Sequence, residues 1–524
     1  MKVLLCATAL AGLGCLAPHV AAAQTNTDRE LRVVAQNVPA LLDPARDHAN
    51  SGQQYYHNSF DTLIMKDPTS AEAKFVPGLA TEWTMIDDVT MELKLREGVV
   101  FHNGSTMTAE DVLYSLNRMF SPSFAPYVTR ARDRFTNFSH AEKVDDLTIR
   151  IVAKRPDPLF ETLVNLQQLA IVPKDYVAGL TGDPKVVEDS DHEAFALAPV
   201  GSGPYRIAEF TPSQRIVYER HDAFWGEAAP LSKVNVVRVP EVSARITALR
   251  TGEAHIATNI APDQLADVTS DPALKAVGVA SSLFHMVMFN VNNPTLKDPR
   301  IRQALMMSID RNLINEALWL GKAVVPASHT MPEYGEMHQP DMDHYPYDPE
   351  RAKQLLAEAG YDGAEIVYET QGNYYTNGLL TAQAIAEMWR AIGVNAVVRD
   401  VASWNASDPA MMVRNWSNPM YFNDPYGNYG MLWAPGGNAE GFGRYKVPEE
   451  DFGHWETFRF GQSIEARKRA YIAIMDRNSA DPASIALLRP YESWAMTKQV
   501  NWEPMPGNLA YVLDFRAGSI SFNQ

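Results

Sequence analysis

The segment 78–118 constrains the fold more than any other part of this 524-residue chain, because it reads as a strand, a turn and a helix in direct succession. Apolar and charged residues alternate from Met91 to Arg96, which predicts a strand with one buried face. Polar residues at 102–105 predict a turn. Thr108 and Asp111 then have the three-residue spacing with which side chains cap the first turn of a helix. The segment therefore predicts part of the scaffold and identifies no ligand-binding residue.

The same segment resembles the family 5 solute-binding proteins of bacterial ABC importers, the group that contains dipeptide-, oligopeptide- and nickel-binding proteins. The family pattern there is roughly GLA, a Trp, an Asp, LR-GV-FH-G, TAEDV and S-R. A second block, 199–257, resembles the family from PVG-GPY through N-FWG to A-ALR-GE, although His255 stands where the family has Asp. The matching residues are Gly78, Leu79, Ala80, Trp83, Asp87, Leu95, Arg96, Gly98, Val99, Phe101, His102, Gly104, Thr108, Ala109, Glu110, Asp111, Val112, Ser115 and Arg118 in the first segment, and Gly201, Gly203, Pro204, Tyr205, Phe224, Trp225, Gly226, Arg250, Gly252 and Glu253 in the second.

This resemblance implies an α/β, two-lobed periplasmic-binding-protein fold of type II, cluster C, with an extra subdomain in the first lobe. A chain of this length also exceeds a single hydrophobic core, so more than one domain is expected. The chain would cross between the lobes near Asn290–Asn293 and Trp494–Lys498, and the two crossings would form a hinge. The implied boundaries are residues 24–289 and 499–524 for lobe I, with the extra subdomain at about 60–195, and residues 290–498 for lobe II.

The C-terminal half predicts strands and helices in alternation, as in an α/β lobe. Asp-Pro pairs at 298–299 and 348–349 each predict a helix cap followed by the first helical position. A third apolar-faced helix is expected over 381–392, and a strand over 394–398.

Residues 1–23 have the layout of a cleaved secretory leader. A lysine precedes a long apolar run, and three consecutive alanines end the segment. Both cysteines of the chain, Cys6 and Cys15, lie inside it, so the mature protein would hold neither thiol nor disulfide. Gly12 stands where lipoprotein signals carry a large aliphatic residue, which argues against a lipid anchor. The sequence therefore predicts an exported, periplasmic protein.

The chain is acidic, with 63 Asp and Glu against 46 Lys and Arg and a formal net charge of −17. This balance argues against nucleic acid or anionic lipid as a partner. After the leader, no run approaches the roughly 20 apolar residues that cross a bilayer. The resemblance implies a monomer whose partners are a small-molecule or peptide ligand and an inner-membrane ABC permease with its ATPase subunits.

Motifs for covalent chemistry are missing from the sequence. There is no GxSxG elbow, no HExxH and no Walker loop. His192 and Glu193 begin a zinc motif, but Ala196 occupies the position of its second ligand. We therefore expect no enzyme, no cofactor and no metal site. Nickel bound through a chelator is disfavoured, since no histidine or carboxylate cluster is evident.

The segment 416–425 departs from the peptide-binding members of the family. Those relatives read close to W-x-x-D-x-x-D-P, and their first Asp holds the free ammonium group of the peptide. Counting from Trp416 puts Pro419 at that position, and counting back from Asp424 puts Tyr421 there. Neither can pair with an amine, and a lost charge-assisted hydrogen bond costs about 1.5–3 kcal/mol. Capture of ordinary peptides by this route is therefore not expected.

Ligand contacts are instead predicted on polar loops that follow strands and on the aromatic-rich region around residue 416. The guanidinium of Arg414 would offer a planar fork to a carboxylate, phosphate or sulfate if it points inward; lying along the surface is the equal alternative. The predicted ligand-binding residues are Asn50, Ser51, Gln371, Asn373, Trp404, Arg414, Asn415, Trp416, Ser417 and Tyr421.

Together these features predict a periplasmic solute-binding component of an ABC importer, which captures a peptide-like or other small solute between two lobes. The solute class stays open between a peptide-like compound and a non-peptide compound such as an anionic conjugate, an opine-like compound or an oligosaccharide. A periplasmic chaperone or sensor partner with the same fold is the remaining alternative.

Overall fold

The structure is a computed structural model that carries side chains. The predicted leader, residues 1–23, lies outside the residues it describes. Those are residues 29–46, 50–67, 74–120, 133–180, 189–372, 374–405, 408–505 and 512–523.

The strands of the described residues form two large sheets and several smaller ones. In chain order, those in the described residues are β1 (Glu30–Ala35), β2 (Ile64–Lys66), β3 (Phe75–Pro77), β4 (Ala80–Met85), β5 (Thr90–Leu95), β6 (Phe138–Asp145), β7 (Thr148–Ala153), β8 (Tyr205–Thr211), β9 (Arg215–Arg220), β10 (Lys233–Arg238), β11 (Ile256–Ala257), β12 (Leu274–Ala280), β13 (Leu283–Phe289), β14 (Ile366–Thr370), β15 (Ala396–Asp400), β16 (Val413–Pro419), β17 (Ser484–Leu488), β18 (Tyr491–Thr497), β19 (Val500–Trp502) and β20 (Ile520–Phe522).

Helices cover the faces of these sheets, and none in the described ranges combines the length and apolarity that a membrane span requires. They are α1 (Asn50–Gln53), α2 (Ala109–Phe120), α3 (Phe160–Val164), α4 (Lys174–Ala178), α5 (Asp189–Leu197), α6 (Val242–Arg250), α7 (Leu265–Ser270), α8 (Pro299–Met307), α9 (Arg311–Trp319), α10 (Pro349–Ala359), α11 (Gly378–Ala391), α12 (Tyr429–Trp433), α13 (Asn438–Gly441), α14 (Phe452–Phe460) and α15 (Ile464–Ala480). Short 3-10 helices lie at Tyr56–Asn58, Asp133–Phe135, Gln167–Leu169, Pro262–Gln264, Pro332–Met337, Pro425–Gly427 and Glu449–Asp451.

Lobe I, as we use the name, is built on a seven-stranded sheet of order β12-β18-β11-β1-β10-β9-β8. Its central strand β1 runs parallel to β10 and β11, and the outer pairs are antiparallel. Leu31 and Val33 of β1 share a buried core with Trp494 of β18 and with Leu513 and Phe515 near the end of the chain. The C-terminal segment therefore returns to lobe I.

The extra subdomain of lobe I is a four-stranded antiparallel sheet, β4-β5-β7-β6, with its own apolar core. Helix α2 packs on this sheet and begins with the predicted cap. The backbone N–H of Thr108 donates to Asp111 Oδ2 at 2.8 Å, and its hydroxyl donates to the same oxygen at 2.7 Å. The strand, turn and helix predicted over 78–118 are thus all present.

Lobe II is built on a five-stranded sheet of order β15-β14-β16-β13-β17, with helices packed around it. The carboxylate of Asp298 accepts from the N–H of Arg300 at the start of α8, and that of Asp348 accepts from the N–H of Arg351 at the start of α10. Both Asp-Pro caps form as the sequence predicts. Gly360 ends α10 in the left-handed conformation, with φ of 68°.

The two crossings between the lobes lie at 281–282 and 489–490, outside the ranges expected from the resemblance. Strand β12 belongs to the lobe I sheet and β13 to the lobe II sheet, and the chain returns between β17 and β18. The expected range 290–293 follows β13 inside lobe II, and 494–498 lies in or just after β18 in lobe I. An apolar strand such as β13 has the same pattern in either sheet, so the sequence does not reveal which sheet it joins.

The two crossings are hydrogen-bonded to each other. The N–H of Ser281 donates to the carbonyl of Pro490 at 2.9 Å, and Nε of Arg489 donates to the carbonyl of Ser281 at 3.0 Å. The guanidinium of Arg489 also pairs with Glu333 of lobe II. The pair of crossings thus forms one compact hinge.

The glycines of the PVGSGPY block allow a loop to pack directly on another backbone segment. A Cβ on Gly201 would collide with the carbonyl oxygen of Ser59, and a Cβ on Gly203 would lie 2.7 Å from the carbonyl carbon of Ser59. The N–H of Gly203 donates to that carbonyl at 3.0 Å. The contact fixes the loop beside the segment that leads into β2.

We expect Gly201→Ala to destabilise the protein by about 1–3 kcal/mol or more, because the added methyl group overpacks a backbone contact that cannot yield. Gly453→Ala is the control, since a Cβ there meets nothing within 4 Å and the site lies in helix α14. Thermal and urea unfolding of the two variants measure the difference. Equal stability of both variants would contradict the packing argument.

Candidate functional site

Two cavities with mixed polar and apolar linings lie where lobe II faces lobe I, and each takes its walls from both lobes. The first, which we call the Lys66 cavity, has about 620 Å³ of empty space including space open to solvent. The second, the Glu492 cavity, has about 580 Å³ on the same measure. The Lys66 cavity is lined chiefly by Gln53, His57, Lys66 and Arg516 of lobe I and by Met420 and Tyr421 of lobe II. The Glu492 cavity is lined chiefly by Asn259 and Glu492 of lobe I and by His285, Tyr374, Tyr375 and Ser417 of lobe II.

Lys66 ends strand β2 and reaches across the gap between the lobes. Its ammonium lies 3.5 Å from the carbonyl oxygen of Tyr421 in lobe II. No carboxylate of the described residues forms an ion pair with it, and burial lowers the pKa of Lys66 to about 7. A desolvated cation without a counter-charge is costly unless an anion enters beside it.

Several other polar side chains of this cavity have an atom without a partner within the described part of the chain. Asp514 engages Nε and Nη2 of Arg516 at 2.8 and 3.1 Å, and no described group accepts from Nη1. Burial acts to lower the pKa of Arg516, but the Asp514 carboxylate outweighs it and raises that pKa. Nδ1 of His57 and the side-chain oxygens of Gln167 and Gln168 are buried without a hydrogen bond. Buried polar atoms are rarely left so, which indicates a site completed by a ligand or by water.

Glu492, on strand β18, places a carboxylate in the second cavity. Nδ2 of Asn259 donates to its Oε2 at 3.2 Å, and burial raises the pKa of Glu492 to about 7. Asn259 itself is held in the left-handed conformation, with φ of 52°, and its Oδ1 accepts from the hydroxyl of Thr258 at 2.7 Å. That bond fixes the orientation of the amide, so the nitrogen faces the carboxylate.

The opposite wall of the Glu492 cavity is aromatic and uncharged. The rings of His285 and Tyr375 meet edge to face with centroids 5.1 Å apart, and those of Tyr374 and Tyr375 lie 4.7 Å apart. Burial lowers the pKa of His285 to about 4, so its ring is neutral at neutral pH. A carboxylate facing aromatic rings is a suitable environment for an organic cation.

The two cavities belong to one cleft. Gln53 lines the first and the next residue, Gln54, lines the second. On the lobe II side, Ser417 lines the second cavity, and Met420 lines the first just past the end of β16. On both lobes, therefore, residues close in sequence line the two cavities, which are neighbours.

Of the predicted ligand-binding residues, Ser417 and Tyr421 line the cleft. Trp404 lies one layer behind it, with its ring 5.3 Å from that of Tyr374 and 5.8 Å from that of Tyr375. Asn50 and Ser51 begin α1, whose last residue lines the Lys66 cavity, but their side chains are outside the described set, as is Asn373 altogether.

The remaining predicted residues lie away from the cavity walls. The guanidinium of Arg414 is buried between two indole rings, 4.2 Å from that of Trp404 and 4.9 Å from that of Trp416. Nδ2 of Asn415 donates to the hydroxyl of Thr370 at 2.9 Å. Nε2 of Gln371 donates to the carbonyl of Ala402 at 2.8 Å. Ligand contacts of Gln371, Arg414, Asn415 and Trp416 stay predictions.

Asp424 has a structural partner away from the cleft. Its carboxylate accepts from the N–H of Tyr426 at 2.8 Å, which caps the following turn, and pairs with the buried Arg467 at 2.8 Å. The ring of Tyr421 lies against the guanidinium of Arg134 at 3.6 Å. The segment 416–425 therefore offers no acid to the cleft.

Sequence reasoning missed Lys66, Glu492 and Arg516, the charged residues of the cleft. They come from three distant parts of the chain and belong to no motif. The available signal was a charge inside a largely buried strand: Glu492 stands second in β18, whose central residues are buried. Lys66 likewise ends the short apolar strand β2.

A buried ion pair holds lobe II against the extra subdomain. Nη1 and Nη2 of Arg459 in α14 donate to the two carboxylate oxygens of Asp157 at 2.5 and 2.6 Å, and both side chains are almost fully buried. Nearby, Arg155 and Glu456 form a second pair between the same segments, but about half of each side chain is exposed. Phe422 of lobe II completes the contact by packing into the subdomain core.

Two lobes joined by a double crossing, with cavities between them, form the architecture of the two-lobed periplasmic-binding-protein fold. The chain belongs to the bacterial extracellular solute-binding proteins, family 5: the family model for the middle region matches residues 74–440. The structure of a periplasmic binding protein, DppA from Helicobacter pylori in complex with the peptide STSA, superposes with a TM-score of 0.83. It is 22% identical and covers 96% of this chain and 99% of its own. The predicted α/β two-lobed fold is confirmed.

Two curated relatives are similar in sequence. Heme-binding protein A of Haemophilus influenzae is 29% identical over 378 residues, which is 68% of this chain and 66% of the relative. The dipeptide-binding protein of Escherichia coli K12 is 27% identical over 343 residues, which is 62% of this chain and 63% of the relative. The chain thus spans slightly less than two thirds of the length of each.

We expect Arg459→Met to favour an open arrangement of the lobes. It leaves the Asp157 carboxylate buried without its cation, at a cost of about 3–5 kcal/mol that opening would relieve by rehydration. Small-angle scattering of the solute-free variant should give a larger radius of gyration than the parent. Arg155→Met is the matched control, since exposed pairs contribute about 0–1 kcal/mol. Similar scattering from both variants would contradict the role of the buried pair.

We expect Glu492→Gln to stabilise the solute-free protein increasingly as pH rises. The raised pKa of about 7 means that folded Glu492 retains a proton which the unfolded chain releases above about pH 4.5. Stability contributed by this group is therefore lost between about pH 4.5 and 7, whereas glutamine has no proton to lose. Melting temperatures at pH 4 and pH 8 measure the effect, with Glu253→Gln, an exposed site, as control. A pH-independent difference would contradict it.

Proposed function

We propose that this protein is the periplasmic solute-binding component of an ABC importer, which captures a peptide-like solute between its lobes and delivers it to an inner-membrane permease with ATPase subunits. The observation that carries the proposal is the cleft itself, whose two cavities take their walls from both lobes of a structure joined by a double crossing. Family membership supports the same role.

A peptide-like solute is the first candidate because of what the relatives are named as binding. The Escherichia coli relative is a dipeptide-binding protein, and the Helicobacter pylori structure holds a four-residue peptide. The cleft of this chain has walls that combine polar, apolar and aromatic side chains. Such a mixture of apolar area and a few directed polar groups is typical of sites for small ligands.

Capture in this mechanism is noncovalent. The solute first meets one lobe, and contacts with the second lobe then favour the closed arrangement, because they exist only there. The buried pair of Arg459 and Asp157 adds to the stability of the closed state. The permease would recognise the closed protein, and no residue is assigned a catalytic step.

An anionic, non-peptide solute is the second candidate, and a specific observation favours it. Lys66 and Arg516 direct two cationic groups to one cavity, and His57 beside them is neutral, since burial lowers its pKa to about 3. Such a cavity suits a carboxylate, and an anionic conjugate or opine-like compound carries one or more.

The decisive experiment identifies what the protein carries. The mature protein is purified from cells grown on mixed solutes and examined by native mass spectrometry before and after unfolding. We expect a single small solute, released on unfolding, whose return to the stripped protein reduces the radius of gyration in small-angle scattering. Unfolded polypeptides bound without selection would instead indicate a chaperone.

Ser417→Trp provides a variant for the same assay. The indole would fill the Glu492 cavity, so we expect the affinity for the recovered solute to fall at least about 100-fold, a loss of about 3 kcal/mol. Ser243→Trp, at an exposed position on α6, is the control and should bind as the parent does. Undiminished binding by Ser417→Trp would place the solute elsewhere.

A further inference from the structure

We propose that the solute is a zwitterion held at both ends by lobe I: the Glu492 carboxylate binds its cationic group, and Lys66 with Arg516 binds its anionic group. This inference rests on the proposed function, since it requires a solute in the cleft. It assigns to lobe I the ammonium contact for which segment 416–425 of lobe II offers no acid to the cleft, since Asp424 is engaged by Arg467.

Glu492 has the surroundings of a receptor for an organic cation. Its one hydrogen bond within the described structure comes from the neutral amide of Asn259, so its charge is not compensated by the protein. The facing wall consists of neutral aromatic rings, those of His285, Tyr374 and Tyr375. A cationic group placed there would meet a carboxylate on one side and aromatic rings on the other, and no positively charged side chain of the described residues lines the cavity.

Lys66 and Arg516 have the complementary surroundings. Asp514 is already committed to two nitrogens of Arg516, and the ammonium of Lys66 contacts a single carbonyl oxygen at 3.5 Å. A carboxylate in this cavity could accept from Lys66 and from Nη1 of Arg516. It would compensate a cation that the described residues leave without a counter-charge.

A purely structural role does not account for these charges. Buried opposite charges that serve stability lie in contact, as those of Arg459 and Asp157 do. Glu492 and Lys66 instead line separate, neighbouring cavities of one cleft. Two uncompensated charges of opposite sign in neighbouring cavities match a solute with charged groups of opposite sign at its ends.

The division of contacts sets an order of events. Because both charged contacts come from lobe I, the solute can form them while the lobes are apart. Lobe II then adds the aromatic wall and the neutral side chain of Ser417. Binding of the charged groups by lobe I and closure of the two lobes are therefore separate steps.

The test uses three synthetic mixtures of random tripeptides: one with free ends, one N-acetylated and one C-amidated. Equilibrium dialysis with mass-spectrometric quantification measures what the stripped wild-type protein retains. We expect acetylation and amidation each to weaken binding about 10- to 100-fold, the equilibrium equivalent of one charge-assisted hydrogen bond. Random side chains remove dependence on one particular peptide sequence.

Two near-isosteric variants assign each end to its residue. Glu492→Gln should weaken binding of the free mixture by the same factor and abolish the effect of acetylation while keeping that of amidation. Lys66→Met should abolish the effect of amidation while keeping that of acetylation. Glu253→Gln and Lys446→Gln, both at exposed positions, should bind as the wild type does. If a cleft variant does not fold, the binding of the three mixtures to the wild-type protein is by itself the test of the zwitterion proposal.

The outcomes separate this inference from the proposed function. Equal binding of the acetylated, amidated and free mixtures would overturn the zwitterion while leaving the receptor role intact. Recovery of a solute without paired charges by native mass spectrometry would do the same. If no solute of any class compacts the protein, the receptor role falls, and this inference falls with it.

Discussion

The hydrogen-bonded pair of chain crossings is the constraint on which the rest of the structure depends. Among the described residues, the backbone passes between the lobes at 281–282 and at 489–490, and Arg489 fastens the two strands of that hinge together. Side chains far from the hinge must therefore meet face to face whenever the lobes approach. The cleft and the ion pair of Arg459 with Asp157 both lie on surfaces that this geometry brings together.

The contacts across the cleft are unequal in kind. Lobe I supplies the charges, through Glu492, Lys66 and Arg516, whereas lobe II supplies rings, a hydroxyl and a backbone carbonyl. Charged groups attract a solute over a longer distance than ring contacts do, so lobe I is suited to first encounter. Ring contacts act only at close range and are suited to stabilise closure.

Much of the scaffold could be predicted from the sequence, because local chemistry decides it. The caps at Thr108 and Asp298 require only residues within one turn, and both form as predicted. The hinge could not be located, since the apolar pattern of β13 is compatible with either sheet. Of the site, Ser417 and Tyr421 lie in the cleft, but Glu492 and Lys66 escaped notice, because long-range packing alone brings these residues together.

Two of the three rings of the aromatic wall, those of Tyr374 and Tyr375, stand on the loop between β14 and α11, whereas the third, His285, stands on β13. Residues 374–376 are half-buried and belong to no strand, helix cap or hinge crossing. Substitutions at these positions would therefore alter the lining of the Glu492 cavity, and selectivity could diverge between related proteins while the two sheets and the hinge are retained.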